Sequence, residues 1–231
     1  MDSASRPRVT FVYFSYTKQT KRVMDAMADV FRQRGWDVQD APIGFTDHRW
    51  SERFSTFPLP LLKLIGMFPP QLRGATGEIV IPEAAGQAGS DLVVFGSPTW
   101  FFRTSIPMRS YLKSKEAQRL VGGNRFAVVV VCRRYWSING KNVRKRAEQL
   151  GGSHAATHKF TFEGGQVRSL LSLISYLTTG ETRDKYMGIR IPPANLRDQD
   201  LDTARSLAAQ LIDDGPSLLH STAQVASVSV G

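Results

Sequence analysis

Val9-Thr10-Phe11-Val12-Tyr13-Phe14 runs directly into Ser15-Tyr16-Thr17-Lys18-Gln19-Thr20, and a helical pattern begins at Lys21. The first six residues are β-branched or aromatic, and five of the next six carry a hydroxyl or an amide, so the stretch reads as strand, polar turn and helix. A helix beginning near Thr20 leaves its first amide N–H groups without intrahelical acceptors and concentrates partial positive charge at that end. The hydroxyls of Ser15, Thr17 and Thr20, the Gln19 amide and the Lys18 cation are therefore candidate ligands for a phosphate monoester. The alternative is a polar turn that caps an ordinary helix.

Beyond the turn, Val23, Met27, Val30 and Phe31 repeat at i, i+4, i+7 and i+8, which is one apolar helix face, and Gly35 is its stop. Trp36 to Gln39 alternates as a short second strand. Asp91 to Gly96 is a near-continuous apolar run, as a strand buried on both faces requires, and Phe126 to Cys132 is another. His154 to Phe162 alternates as a fifth strand, and helical spacing marks Asn139 to Leu150 and Leu201 to Ile212. Strands alternating with helices predict a doubly wound α/β sheet.

Two stretches lie outside that pattern. From about residue 43 to 80, aromatic residues mix with cations and prolines, and the prolines at both ends of Leu61 to Met67 allow only a short helix. From about 164 to 197, Val167, Leu170, Leu171, Ile174 and Leu177 stand at helical spacing. The first is taken as an insertion that caps the site or touches a membrane, with folding back on the core of its own domain as the favoured alternative; the second is expected to pair with it to wall off an apolar pocket, and a dimer interface is an equal alternative for both. Residues 1–7 and 215–231 are expected to be loose tails around a single domain over 8–213.

The third strand ends in Gly96-Ser97-Pro98-Thr99-Trp100-Phe101-Phe102, and the fourth in Arg133-Arg134-Tyr135-Trp136. The first turn resembles the phosphate loop of the flavodoxin-like FMN-binding family, which includes flavodoxins and NAD(P)H:quinone oxidoreductase-type flavoproteins; Lys18 stands where that family usually has Gly. Gly-Ser-Pro-Thr followed by aromatic residues looks like the family's second flavin loop, and Tyr135 and Trp136 occupy the place of the third. The resemblance implies a five-stranded parallel sheet of order 2-1-3-4-5, in which the three loops meet at the switch point outside the carboxyl ends of the strands. It also implies bound FMN, gripped by the first loop and flanked by Ser97, Pro98, Thr99, Trp100, Phe101, Phe102, Tyr135 and Trp136, with Arg133 and Arg134 facing negative charge. By the same resemblance the chain is expected to pass reducing equivalents from NAD(P)H through the flavin to a quinone or another flat lipophilic acceptor, with Tyr135 or His158 as proton donor. A dinucleotide-binding G-x-G-x-x-G turn and a G-x-x-x-x-G-K-[ST] run are both missing, so FMN suits the residues better than NAD held in the sheet or ATP.

The 231 residues are 42% hydrophobic and 22% charged, which is an ordinary globular balance, and the formal charge of +10 asks for an anionic counterpart. Phosphate-bearing cofactors and peripheral contact with an anionic membrane meet that need, and a homodimer is an open expectation. A non-catalytic module that binds nucleic acid or a membrane through Lys141, Arg144, Lys145 and Arg146 is the alternative function. Its nucleic-acid form is disfavoured, because a solvated helix face is the default for such a cluster. A flavodoxin-type electron carrier is a further alternative that the positive charge disfavours. A single cysteine, Cys132, excludes an intrachain disulfide and places the expectation in a reducing, cytoplasmic setting. No secretory leader is expected at Met1 to Arg8, and the four histidines show no metal-ligand spacing beyond the His154/His158 pair.

Overall fold

The computed structural model describes residues 6–49, 58–100, 102–132, 136–162 and 166–215. In chain order the first half contains β1 (Arg8–Tyr13), α1 (Gln19–Gln33), β2 (Asp37–Pro42), β3 (Gly44–Phe45), α2 (Leu61–Ile65), α3 (Phe68–Leu72) and β4 (Ile79–Val80). Next come β5 (Leu92–Trp100), β6 (Arg103–Thr104), α4 (Ile106–Tyr111), α5 (Lys115–Val121) and β7 (Arg125–Cys132). The last part holds α6 (Trp136–Gln149), β8 (Ser153–Thr161), α7 (Gln166–Thr179), β9 (Lys185–Tyr186), β10 (Ile189–Arg190) and α8 (Asp198–Asp213).

The central sheet has the order β2-β1-β5-β7-β8, with every pairing along it parallel. This is the expected flavodoxin-like arrangement, and its switch point falls between β1 and β5. Helices cover both faces. On one, Phe11, Tyr13, Val94, Val129 and Phe160 pack against α1 and α8; on the other, Val12, Phe95, Val128 and Val130 pack against α4, α5 and α6. The near-continuous apolar strands follow from this double coverage. The apolar face of α1 buries Val23, Met24, Met27 and Phe31, each contributing about 1.5–3 kcal/mol relative to exposure.

Two details depart from expectation. The third predicted strand does not stop at Gly96: β5 runs on to Trp100 and turns back through Phe102, at φ 72°, to pair antiparallel with β6. The expected loop is therefore a hairpin, stiffened by cross-strand bonds. In β8, the register shifts between Phe126 and Ala127, so His154 aligns with Phe126 and His158 with Val129. That extra residue inverts the alternation. His154 and His158, which four-residue spacing would set on one face of a regular strand, therefore point to opposite sides of the sheet.

The ends of the first insertion are joined by β3 and β4, and its backbone is anchored from inside. The buried Asp47 carboxylate accepts from the Glu78 amide at 3.0 Å and holds the Arg49 guanidinium at 2.6 Å. Gln71, wholly buried, donates to the Trp100 and Thr104 carbonyls, and Arg109 donates to the Ala75 and Thr104 carbonyls. The two insertions touch: the Leu59 amide donates to the Leu177 carbonyl at 2.6 Å. No helix among the described residues is long and apolar enough to cross a membrane.

Candidate functional site

The first turn is shaped by Lys18, which takes φ 60°, ψ 0° as the residue before α1. This left-handed conformation costs a side-chain-bearing residue about 1–2 kcal/mol, which is why Gly is the usual occupant. Ser15 closes the turn by accepting the Lys21 amide on its Oγ at 3.1 Å, and the Arg22 amide returns to the Lys18 carbonyl. The amides of Gln19 and Thr20 find no acceptor among the described residues. They stand at the positive end of a fifteen-residue helix, at the carboxyl end of β1. Thr17 and Lys18 are accessible and Thr20 is buried.

The Gln19 side chain is not turned to this turn's mouth. Its Oε1 accepts from the Leu196 amide and Arg22, and its Nε2 donates to Asn195 at 2.9 Å. It thus locks α1 to the segment entering α8, and only its backbone amide is left for an anion.

Gly96 sets how closely β5 meets the turn. A Cβ there would stand 2.6 Å from Tyr13 Cβ and 2.9 Å from Thr20 Cγ2, so only glycine lets α1 begin where it does. In the hairpin that follows, Ser97 is fully buried and its Oγ donates to Asn139 Oδ1 at 3.0 Å. Asn139 Nδ2 donates in turn to the Ser97 carbonyl and to Thr99 Oγ1. Pro98 lies in register with Val131. The side chains of Ser97 and Thr99 are therefore held by the first turns of α6, and this binds the second loop to the third.

Trp100 meets Phe14 edge to face at 5.4 Å, and Phe14 meets Phe45 at 6.3 Å. An aromatic cluster accordingly joins the end of β1, the first insertion and the hairpin. Phe102 is 40% exposed at the hairpin tip. Trp136 lies inside the first turn of α6, and Lys159 Nζ covers one face of its ring at 4.7 Å, so that face is not open to a flavin. Phe101, Arg133, Arg134 and Tyr135 lie outside the described residues.

His158 sits on the α1 and α8 face of β8, its ring 5.0 Å from that of Phe160. Burial, with a smaller push from Lys159, lowers its pKa below the ordinary histidine range, so at neutral pH the ring is mostly uncharged. Burial likewise pushes the Cys132 thiol up to about 11, which marks it as a core residue rather than a nucleophile. Among the described residues no group of three or more His, Cys, Asp or Glu side chains could hold a metal ion.

Sequence reasoning missed Phe14, Phe45, Gln71 and Asn139. For Asn139 a signal existed: it stands one and two turns before Val143 and Ala147 on the apolar face of its helix, where a buried amide requires partners. Gln71 gave none, since its partners are backbone carbonyls about thirty residues away.

No protein-family model and no curated protein sequence matches the chain. Solved structures do. A flavoprotein in complex with FMN from Lactobacillus acidophilus NCFM aligns with TM-score 0.50 and 15% identity, over 66% of this chain and 93% of its own. A flavodoxin from the domain Archaea aligns with TM-score 0.49 and 12% identity over 90% of this chain and 99% of its own. Rubredoxin oxygen:oxidoreductase from Desulfovibrio gigas gives 0.49 and 11%, with 93% of this chain on 38% of that one. The chain has the flavodoxin-like fold.

Proposed function

We propose that the protein is an FMN-dependent oxidoreductase that carries reducing equivalents from NAD(P)H to a quinone or another flat lipophilic acceptor. The observation that carries this reading is the pair of acceptor-less amides of Gln19 and Thr20 at the start of α1, beside the Phe14 and Trp100 rings at the sheet's switch point. The Lactobacillus flavoprotein of the same fold holds FMN.

The residues fit the group. A phosphate would be held by the Gln19 and Thr20 amides, the Ser15 and Thr17 hydroxyls and the Lys18 ammonium; Ser15 Oγ, which accepts from Lys21, keeps its proton to donate. Trp100 and Phe102, with Tyr135 of the third loop, would flank the ring. When bound, the flavin supplies the redox chemistry, taking two electrons from one partner and giving them to another. Phe14, Phe45 and Trp100 would exclude water beside it. Asn139 keeps the hairpin at a set distance from α6, which fixes the position of its backbone groups. His158, mostly uncharged at neutral pH and on the α8 side of β8, is a weak proton donor; Tyr135 is the better candidate.

Visible absorption of the purified protein, with chromatography of the released chromophore, tests the reading first. FMN released in about equal amount to protein is expected, followed by bleaching with NADH or NADPH and recovery on adding a soluble quinone. Colourless protein that also fails to take up FMN would overturn the flavin assignment. Bound FMN that neither nucleotide bleaches would leave an electron carrier in its place.

A further inference from the structure

The helix α7 is turned inside out. Its serines Ser169, Ser172 and Ser175, spaced at i, i+3 and i+6, are 1–3% exposed, and Ser172 Oγ donates to the Pro192 carbonyl. The apolar residues take the other side: Val167 is 68% and Leu170 52% exposed, and Leu171 and Ile174 are half-buried. Positions 167, 170, 171 and 174 form one stripe of a helix. Leu177, at its far end, is buried, so the exposed apolar side chains are those of the first half, and a helix that buries hydroxyls while showing Val167 and Leu170 to the outside is built for an apolar partner.

The first insertion has the same character. Leu62 is 83% exposed and Ile65 57%, and Phe68 and Leu72 on α3 are each 38% exposed. The Leu59–Leu177 hydrogen bond joins this insertion to the end of α7, and Gln71 joins it to the hairpin that carries exposed Phe102. The apolar side chains thus belong to adjoining elements. Their charge is one-sided. Over Pro58–Gly77, Ser97–Lys115 and Gln166–Gly180 there is no Asp or Glu, the next carboxylates being Glu78, Glu116 and Glu181 at their ends, whereas Lys63, Arg73, Arg103 and Arg168 are exposed within them.

We propose that the two insertions dock the protein on an anionic lipid bilayer, with the apolar side chains of α2, α3 and α7 entering the interface and Lys63, Arg73, Arg103 and Arg168 meeting the headgroups. A second copy of the chain is the poorer occupant. A two-fold contact of this surface on itself sets cation against cation, with carboxylates only at the ends of the segments. A bilayer supplies both an apolar layer and negative charge, and the helices, too short to span it, suit a position in the plane of its surface. A lipophilic acceptor would then be met where it dissolves. The docking itself does not depend on flavin binding.

The test is cosedimentation of the full chain with vesicles of phosphatidylcholine alone and of phosphatidylcholine mixed with phosphatidylglycerol. Binding is expected on the mixed vesicles and not on the neutral ones, falling as salt rises to about 0.5 M. Leu62→Ser/Ile65→Ser and Val167→Ser/Leu170→Ser should each reduce binding roughly tenfold or more. Lys141→Gln/Lys145→Gln, on the exposed face of α6, should change it less than about twofold. Thermal melting reports whether each variant is folded; if a serine pair is not, Lys63→Glu/Arg168→Glu tests the same surface through charge. Wild-type protein that stays in the supernatant with mixed vesicles overturns the proposal. So does equal loss on the α6 variant, which would mark unspecific attraction. Light scattering that shows a dimer broken by the serine pairs, without vesicle binding, would assign the surface to a second copy.

Discussion

Lys18 concentrates the local physics of the chain in one residue. Its left-handed backbone opens the turn so that the Gln19 and Thr20 amides are left without acceptors among the described residues, and its side chain is exposed. Replacing it by glycine removes an αL penalty of about 1–2 kcal/mol and adds a backbone-entropy cost of about 0.5–1 kcal/mol. Lys18→Gly should therefore stabilise the flavin-free protein by on the order of 0.5 kcal/mol, a rise in Tm of about 1–2 °C by calorimetry. The same change should weaken FMN binding several-fold in a fluorescence titration, because a cation beside the phosphate is lost. A weaker affinity together with a lower Tm would show that Lys18 is not held against its backbone preference.

At the scale of elements, single polar side chains do the joining. Asn139 makes three hydrogen bonds that tie the β5–β6 hairpin to α6 in a dry environment. Asn139→Ala orphans the Ser97 hydroxyl and carbonyl, at a cost of about 2–4 kcal/mol. A drop in Tm on the order of 5–12 °C is expected, with looser FMN. Asp47 does the same for the first insertion. The hydrogen bond from Arg49, then those from the Glu78 and Arg49 amides, hold its pKa down at about 2, against desolvation that opposes them. A carboxyl depressed in the folded state stabilises fully above its unfolded value of about 4, and that contribution is lost as pH falls through about 2. Acid titration of the wild type should show this loss between about pH 4 and 2, and Asp47→Asn should be less stable at pH 7 and lose less over that window. These joints explain what was legible in the sequence and what was not. The apolar runs Phe11 to Tyr13 and Phe126 to Val131 announce buried strands, because a strand covered on both sides can hold nothing else. Ser97 and Thr99 for Asn139, the Glu78 amide for Asp47 and the Trp100 and Thr104 carbonyls for Gln71 lie about thirty to forty residues away in sequence, beyond the reach of any local pattern.

For the whole molecule, the question is what a net charge of +10 is set against. On the exposed helices most cations are answered locally, as in Lys21 with Asp25, Arg144 with Glu148 and Arg205 with Asp202. In the insertions the segments Pro58–Gly77 and Gln166–Gly180 carry cations and no carboxylate of their own, and several of their apolar side chains face outward. The charge is thus organised, not merely large, and the salt dependence of vesicle binding described above follows from that organisation.

The sequence by itself determined the alternation of buried strands with helices and the polar turn before α1, because buried strands, amphipathic helices and turn chemistry are properties of neighbours in the chain; the strand order came only with the resemblance of the three loops to a known family and is set by contacts distant in sequence. Tertiary structure alone decided that Gln19 turns its side chain to Asn195 and Leu196, and that a shifted register parts His154 from His158. It alone decided that α7 buries Ser169, Ser172 and Ser175 and presents Val167 and Leu170. Helical spacing marks an apolar stripe but not the side on which the rest of the protein lies; only the packing of the folded chain selects that side.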